Sequence, residues 1–299
     1  MRVASDLAAV VLWMAGALTA FSATAIAVRE VAPALPLFDI LAARAGTGTA
    51  VIGLVALLGR GPGLRARRMP LHLLRNLAHA VANYGWTYGV TLLPLGVVFA
   101  LEFTTPAWVT LLAVLILRER LTGSRAAAVA LGFLGVLVIL RPGIAALQPA
   151  SLIVLVAALG FAFTAVATKL LTRTETTLSI LFWMNAIQLP LNLVAGRLLP
   201  GKAAVPFVVQ HHGVALAVLC VAGLASHWCL TNAYKRGDAI LVIPLDFLRL
   251  PLIAVVGWQF YGEALDPWLF AGAALIVSGI VYNLRREARR APRPLPSGA

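Results

Sequence analysis

The sequence predicts an all-α integral membrane protein of ten transmembrane helices, arranged as two inverted five-helix repeats. Three observations carry that expectation. The 299 residues are 61% hydrophobic and only 12% charged, where a soluble domain carries about a quarter charged residues. Ten apolar stretches, each close to the ~20 residues that cross the hydrocarbon, follow one another with short connections. The basic residues crowd into alternate connections, as flanking charges do in membrane proteins.

Breaking the chain at its charged and Pro/Gly-rich points puts the helices at about 7–28, 36–58, 72–92, 95–117, 124–140, 150–170, 177–197, 213–234, 239–260 and 266–284. The start, "MRVASDLAAVVLWMAGALTAFSATA", has the look of a cleavable leader, with Ala23-Thr24-Ala25 as the cleavage motif. Asp6 and the length of the apolar run argue against cleavage. One set of connections and both termini hold eighteen Lys and Arg, and the opposite set holds four: Arg29, Arg141, Arg197 and Lys202. The positive-inside rule then makes both termini cytoplasmic in the cell inner membrane, which an even number of spans allows. The net charge of +13 reflects these clusters. No nucleic-acid motif accompanies it. Cys220 and Cys229 share one apolar segment and read as packing residues.

Shifted by 144 residues, the chain partly overlays itself. Glu102-Phe103 falls on Asp246-Phe247, Glu119 on Glu263, Leu121 on Leu265, Gly135 on Gly279, and Asn83-Tyr84 on His227-Trp228. The units are expected at 1–147 and 148–284, followed by a basic, Pro-rich cytoplasmic tail at 285–299. Five spans per unit is an odd number, so the second unit sits upside down relative to the first. Inverted repeats of this kind mark secondary transporters, with the substrate near the midplane at the repeat interface. Cleavage of the leader-like segment would remove the first helix of the repeat.

Two stretches extend the symmetry: "ALEFTTPAWVTLLAVLILRERL" (100–121) followed by "LGFLGVLVILRPG" (131–143), and "IPLDFLRLPLIAVVGWQFYGEAL" (243–265) followed by "AGAALIVSGIVYNL" (271–284). In each, a helix ends in Glu and then Leu, and a Gly-spaced helix follows. The pattern resembles the EamA-type transporters of the drug/metabolite transporter superfamily, over nearly the whole chain. The resemblance implies transport of amino acids, nucleoside-type metabolites, vitamins or metal-chelating metabolites. It identifies the fold better than the substrate.

Four charges stand inside predicted spans: Arg44, Glu102, Asp246 and Arg249. A charge near the bilayer centre costs at least ~2.5–3.5 kcal/mol, so such groups face a cavity and a partner. Arg44 lies seven residues in from Leu37, and Glu102 seven in from Leu95. At ~1.5 Å per residue both are ~10 Å deep on the external side, and the sequence predicts that they pair. Arg249 follows Asp246 by three residues on one helical face, where the two can neutralise each other. Pro106 and Pro251 each remove the hydrogen bond to a carbonyl four residues back, at Glu102 and at Phe247 beside Asp246. Both acids therefore sit next to a freed carbonyl. Asn83 and Tyr84, with His227 and Trp228, are mid-span on helices 3 and 8 and are expected to wall the cavity. His79 and His227 are candidates for proton relay. Glu119 and Glu263 are expected to fix loops. The pair His211-His212 is placed in an external loop, as weak evidence for metal.

No H-E-x-x-H, P-loop or Ser/His/Asp arrangement is present, which argues against an enzyme and against nucleotide-driven pumping; no cofactor is expected. Pore-lining rings of charge are not evident. The expected function is secondary transport of a small organic metabolite by alternating access. The first guess is export of an amino-acid-like or metallophore-like zwitterion. The alternative is uptake of a nucleoside-, S-adenosylmethionine- or vitamin-like compound. A different class, a membrane protein whose four charges are only structural salt bridges, stands against both. The expected partners are the small-molecule substrate and the bilayer, with proton coupling and oligomeric state left open.

Overall fold

The computed structural model describes residues 2–32, 34–59, 63–93, 95–141, 148–198, 205–262 and 264–290. Among them there are helices and no strands. In chain order these are α1 (Arg2–Val31), α2 (Leu37–Leu58), α3 (Met69–Leu92), and α4, broken into Leu95–Glu102, Thr105–Leu112 and a π turn at Ala113–Leu117. They continue with α5 (Gly123–Leu140), α6 (Pro149–Leu171), α7 (Thr177–Leu198), α8 (Val205–Arg236), and α9, broken into Ala239–Val242, a 3₁₀ stretch at Ile243–Leu248 and Arg249–Tyr261. The last is α10 (Pro267–Arg290). α10 runs past the expected boundary at 284, because Arg285 to Arg290 and Glu287 are good helix formers.

Among the described residues nine helices are long and apolar enough to cross a membrane, and α3 is not one of them. At 24 residues it is long enough, but it carries His72, Arg75, Asn76, His79 and Asn83. The first three are buried against protein, which explains how so polar a helix sits among apolar ones. The outer surface is apolar: Leu12 is 72% exposed, Leu57 85% and Val214 82%. Exposure on that scale suits lipid and not water.

The most extensively packed pairs are α1 with α8, α5 with α10, α3 with α6 and α2 with α7. Advancing each helix by five maps this set onto itself, as expected of a duplicated unit. The α5–α10 crossing is closest at Gly135 and Gly272, where a Cβ on either would stand 2.5 Å from the other's carbonyl oxygen. Only glycine allows that approach. The duplication extends to how the broken helices end. The backbone turns left-handed at Arg118 (φ 57) after α4 and at Gly262 (φ 64) after α9, positions 144 residues apart.

The two ends of the bundle differ. At the end where α1 begins, a continuous core joins Val10 and Met14 to Val109, Ala113 and Leu117 of α4, Ile240 to Phe247 of α9, and Ile276 and Ile280 of α10. Polar groups fasten the loops over it. Glu119 accepts the N–H groups of Ala239 (2.9 Å) and Ile240 (3.0 Å), capping α9. Glu175 accepts those of Arg67 (2.7 Å) and Arg68 (2.9 Å), just ahead of α3. Lys169 donates to the carbonyls of Tyr234 (2.7 Å) and Gly237 (2.5 Å) at the end of α8. Arg125 joins Asp238 (3.0 Å) and Glu287 (2.9 Å). Among the described residues the polar fastenings at the opposite end are surface contacts: Arg141 with Asp266, and Arg29 over the Tyr261 ring at 3.9 Å. There α9 from Arg249 to Tyr261 buries only Gly257. The end where α1 begins is thus sealed by polar fastenings over a buried core; at the other end buried clusters join Ala27, Val31 and Leu35 to Ile40 and Leu219, and Leu93 and Val97 to Val154.

Glu119 fixes a loop, as the sequence predicted, whereas Glu263 lies outside the described residues. The His211-His212 pair is not in a loop. Both residues are within α8, with His212 at its kink (φ −127, ψ 23), and the side chain of His211 lies outside the described residues. Arg75 is a further correction. It is counted above among loop charges, yet it sits inside α3 at 4% exposure. Setting it aside leaves seventeen basic residues in that set against four.

Candidate functional site

The two prolines break their helices as expected, each with its own repair. In α4 the turn falls at Phe103-Thr104, and Thr105 Oγ1 donates to the Glu102 carbonyl at 2.6 Å. Thr104 Oγ1 donates to Leu101 at 2.6 Å. In α9 the chain tightens to 3₁₀ around Pro244 and Asp246 before resuming as helix at Arg249. Hydroxyls and local 3₁₀ turns are the usual means of satisfying carbonyls that a membrane proline frees. The breaks meet at the centre of the bundle, where α9 packs against α4 and the rings of Phe103 and Phe247 stack at 6.1 Å.

At this junction Arg249 serves both acids. Its Nη2 donates to Glu102 Oε1 at 2.9 Å and lies 3.5 Å from Asp246 Oδ2. The first is a charge-assisted hydrogen bond, and the second is an ion pair of looser geometry. Trp86 Nε1 donates to the other oxygen of Glu102 at 2.9 Å. The Phe103 ring stands 5.2 Å from the guanidinium carbon and Phe21 5.9 Å, within reach of cation–π attraction. Side-chain exposures of 28% for Arg249, 22% for Asp246 and 14% for Glu102 mean that these charges border open space in the middle of the bundle.

The pairing of Glu102 with Arg44 is overturned. Equal depth brought them together on paper, but α2 packs on α7 and α8, while α4 packs on α3, α5 and α6. Arg44 instead lies against α8. A Cβ at Gly223 would be 2.5 Å from Arg44 Nε, and that Nε has no hydrogen-bond partner. Close by, the His227 ring meets Phe21 (6.2 Å) and His79 (6.4 Å) edge-on. Asn83 Nδ2 is 3.5 Å from His79 Nε2. Arg44, His227 and Asn83 therefore gather in a second group, which Phe21 joins to the first.

Tyr84 and Trp228 do not join either group. Tyr84 donates to the Leu191 carbonyl at 3.0 Å and packs edge-on against Phe38. Trp228 packs with Ile52, Leu181 and Met184. Both serve the contacts of α2, α3, α7 and α8. The sequence reading did not foresee Phe21 or the central place of Phe103. Only the fact that Phe103 adjoins Glu102 as Phe247 adjoins Asp246 pointed that way. It also missed the wholly buried pair His72 and Glu175, 3.7 Å apart, which belongs to the sealed end. A cleft of about 610 Å³ at that end is lined by four arginines, among them Arg125, and by Glu119, Asp238 and Glu287, the three acids being engaged in the fastenings.

A duplicated bundle of membrane-length helices, with charges bordering an internal space between two broken helices, defines a multi-pass membrane transporter. The chain belongs to the EamA-like transporter family, whose model matches it twice, over residues 8–141 and 148–285. It is 36% identical over 226 residues to a riboflavin transporter of Rhizobium johnstonii, a match covering 75% of this chain and 72% of the relative. It is 26% identical to an S-adenosylmethionine uptake transporter of Rickettsia prowazekii, over 76% of this chain and 75% of that one. A pseudopaline exporter of Pseudomonas aeruginosa is 28% identical over 89% of this chain and 93% of its own. A crystal structure with 19% identity superposes with a TM-score of 0.81, covering 95% of this chain and 99% of the other, and shows the same fold. The chain is thus a transporter and not an enzyme.

Proposed function

We propose that this transporter carries a ring-bearing polar metabolite of the riboflavin or S-adenosylmethionine class inward across the bacterial inner membrane, by alternating access. The observation that carries the reading is the guanidinium of Arg249, shared between Glu102 and Asp246 and faced by Phe21 and Phe103, where two broken helices meet. Aromatic faces receive a ring. A cation held by two acids can release one of them to a substrate group without becoming unpaired. Asp246, the more distant partner, is the acid we assign to that exchange and to any coupling proton.

The mechanism rests on units 1–147 and 148–284 being inverted copies. Five helices each, and a packing pattern that survives advancing every helix by five, support this. Seventeen basic residues in one set of connections, helix ends and termini, against four in the other, support cytoplasmic termini. The sealed end is then the cytoplasmic one. Reversal would loosen the Arg125, Glu119 and Lys169 fastenings and tighten the opposite end. The pseudopaline exporter spans more of this chain than the other two relatives and favours a second reading, export of an amino-acid-like or metallophore-like zwitterion.

One experiment separates the readings. The chain is expressed in a riboflavin-requiring bacterium that cannot take up the vitamin, and in cells given labelled S-adenosylmethionine outside. Growth on micromolar riboflavin, or inward movement of external S-adenosylmethionine, supports the first reading. Net loss of an internal zwitterion with no uptake of either compound supports the second.

A further inference from the structure

The two groups that Phe21 joins differ in charge. Glu102, Asp246 and Arg249 include both carboxylates. The other wall, made by α2, α3, α7 and α8, carries one acid in all, Asp39 in the first turn of α2. That acid faces Gly196 of α7. Deeper in the same helices are Arg44 and Arg75, with His79 and His227 within electrostatic reach of both, and the buried amides of Asn76, Asn185, Gln188 and Asn192.

The two arginines of this wall are held differently. Arg75 donates to Thr168 Oγ1 (3.2 Å) and Asn76 Oδ1 (2.9 Å), so neutral acceptors of α3 and α6 occupy it. Arg44 has no described acid within ion-pair distance, and its Nε is shielded without a bond. The residue nevertheless keeps some accessible surface. Gly223 leaves the room in which the guanidinium lies against α8. An arginine at this depth without a counter-ion is unfavourable unless something else supplies the acceptor.

We infer that Arg44, flanked by His79 and His227, is a separate subsite for an oxygen acceptor of the transported metabolite, a carboxylate or a pair of imide carbonyls. Arg249 does not take that group, since two acids already engage it. The substrate therefore spans the space. Its acceptor end lies at Arg44, its ring near Phe21, which touches both groups, and its donor end at Glu102 and Asp246. This rests on the reading of the chain as a carrier of such metabolites, and it adds the orientation in which the substrate lies.

The test modifies the full-length protein in membrane vesicles with phenylglyoxal, which reacts with accessible guanidinium groups, and maps the labelled arginines by mass spectrometry. Arg44 is expected to label, and to be protected at least about tenfold by whichever of riboflavin or S-adenosylmethionine the cells transport. The half-saturation concentration should rise roughly tenfold in Arg44→Gln, the scale of one charge-assisted hydrogen bond, and less in Arg44→Lys, which keeps the charge and guards against misfolding. If Arg44 labels without protection while transport is normal, the subsite is wrong and the transport reading survives. If Arg44 does not label at all, it lines no accessible space and the inference fails. If neither compound is transported or protects, the substrate class fails first and takes this orientation with it.

Discussion

The broken helices α4 and α9 occupy equivalent places in the two repeats, with acids at matching positions, a proline four residues after Glu102 and five after Asp246, and a left-handed residue after each. They differ where it matters most for charge. At the position three residues beyond the acid, α9 has Arg249 and α4 has Thr105. Thr105 turns inward on its own helix and satisfies the Glu102 carbonyl. Arg249 reaches across and engages the side chains of both acids. A symmetric scaffold thus holds an asymmetric site, one cation between two carboxylates, and the proposed exchange draws on that imbalance.

The comparison can be broken most severely at Arg249. Arg249→Gln leaves Glu102 and Asp246 facing each other without a cation. Removing one partner of such a buried group costs about 3–5 kcal/mol. Transport should vanish, and the melting temperature of the detergent-solubilised protein should drop. Next come the acids one at a time. Glu102 holds the shorter bond and Trp86 as well. Glu102→Gln should therefore lower stability more than Asp246→Asn, while Asp246→Asn should chiefly lower the transport rate or flatten its dependence on pH. Equal effects on both measurements would mean that the acids are interchangeable. The exchange Arg249→Thr with Thr105→Arg moves the cation to the equivalent place in α4. If the repeats are inverted copies, the double variant should regain a measurable part of the transport lost in Arg249→Thr. The smallest effect is expected for Trp86→Phe, which keeps the ring and removes one hydrogen bond to Glu102, for about 1 kcal/mol and a modest rise in half-saturation concentration.

Much of this was legible in the sequence, for reasons that also mark the boundary. Helix positions follow from apolar length, and the two breaks follow from Pro106 and Pro251, because a proline acts on its own helix. Arg249 with Asp246 is likewise a local relation, three residues on one face. Partners across helices were not legible. Depth is readable at ~1.5 Å per residue, but which helix stands opposite is not, so Arg44 was matched to Glu102 rather than set beside Gly223. Polarity misled in α3, where Arg75 read as a loop cation although Thr168 and Asn76 hold it inside. Mid-span position also overstated Tyr84 and Trp228, which bond and pack toward neighbouring helices.

The central claim is that the Glu102–Arg249–Asp246 junction binds the substrate and is not only a structural clamp. Counterflow in proteoliposomes tests it most directly. Wild-type protein and Glu102→Gln, matched for incorporation and assayed well below the melting temperature of the variant, are loaded with unlabelled riboflavin or S-adenosylmethionine and given the labelled compound outside. Wild type should accumulate label transiently above equilibrium, and Glu102→Gln should show little or none. Equal counterflow by the two would contradict the account and leave the junction a salt bridge that only holds α4 to α9.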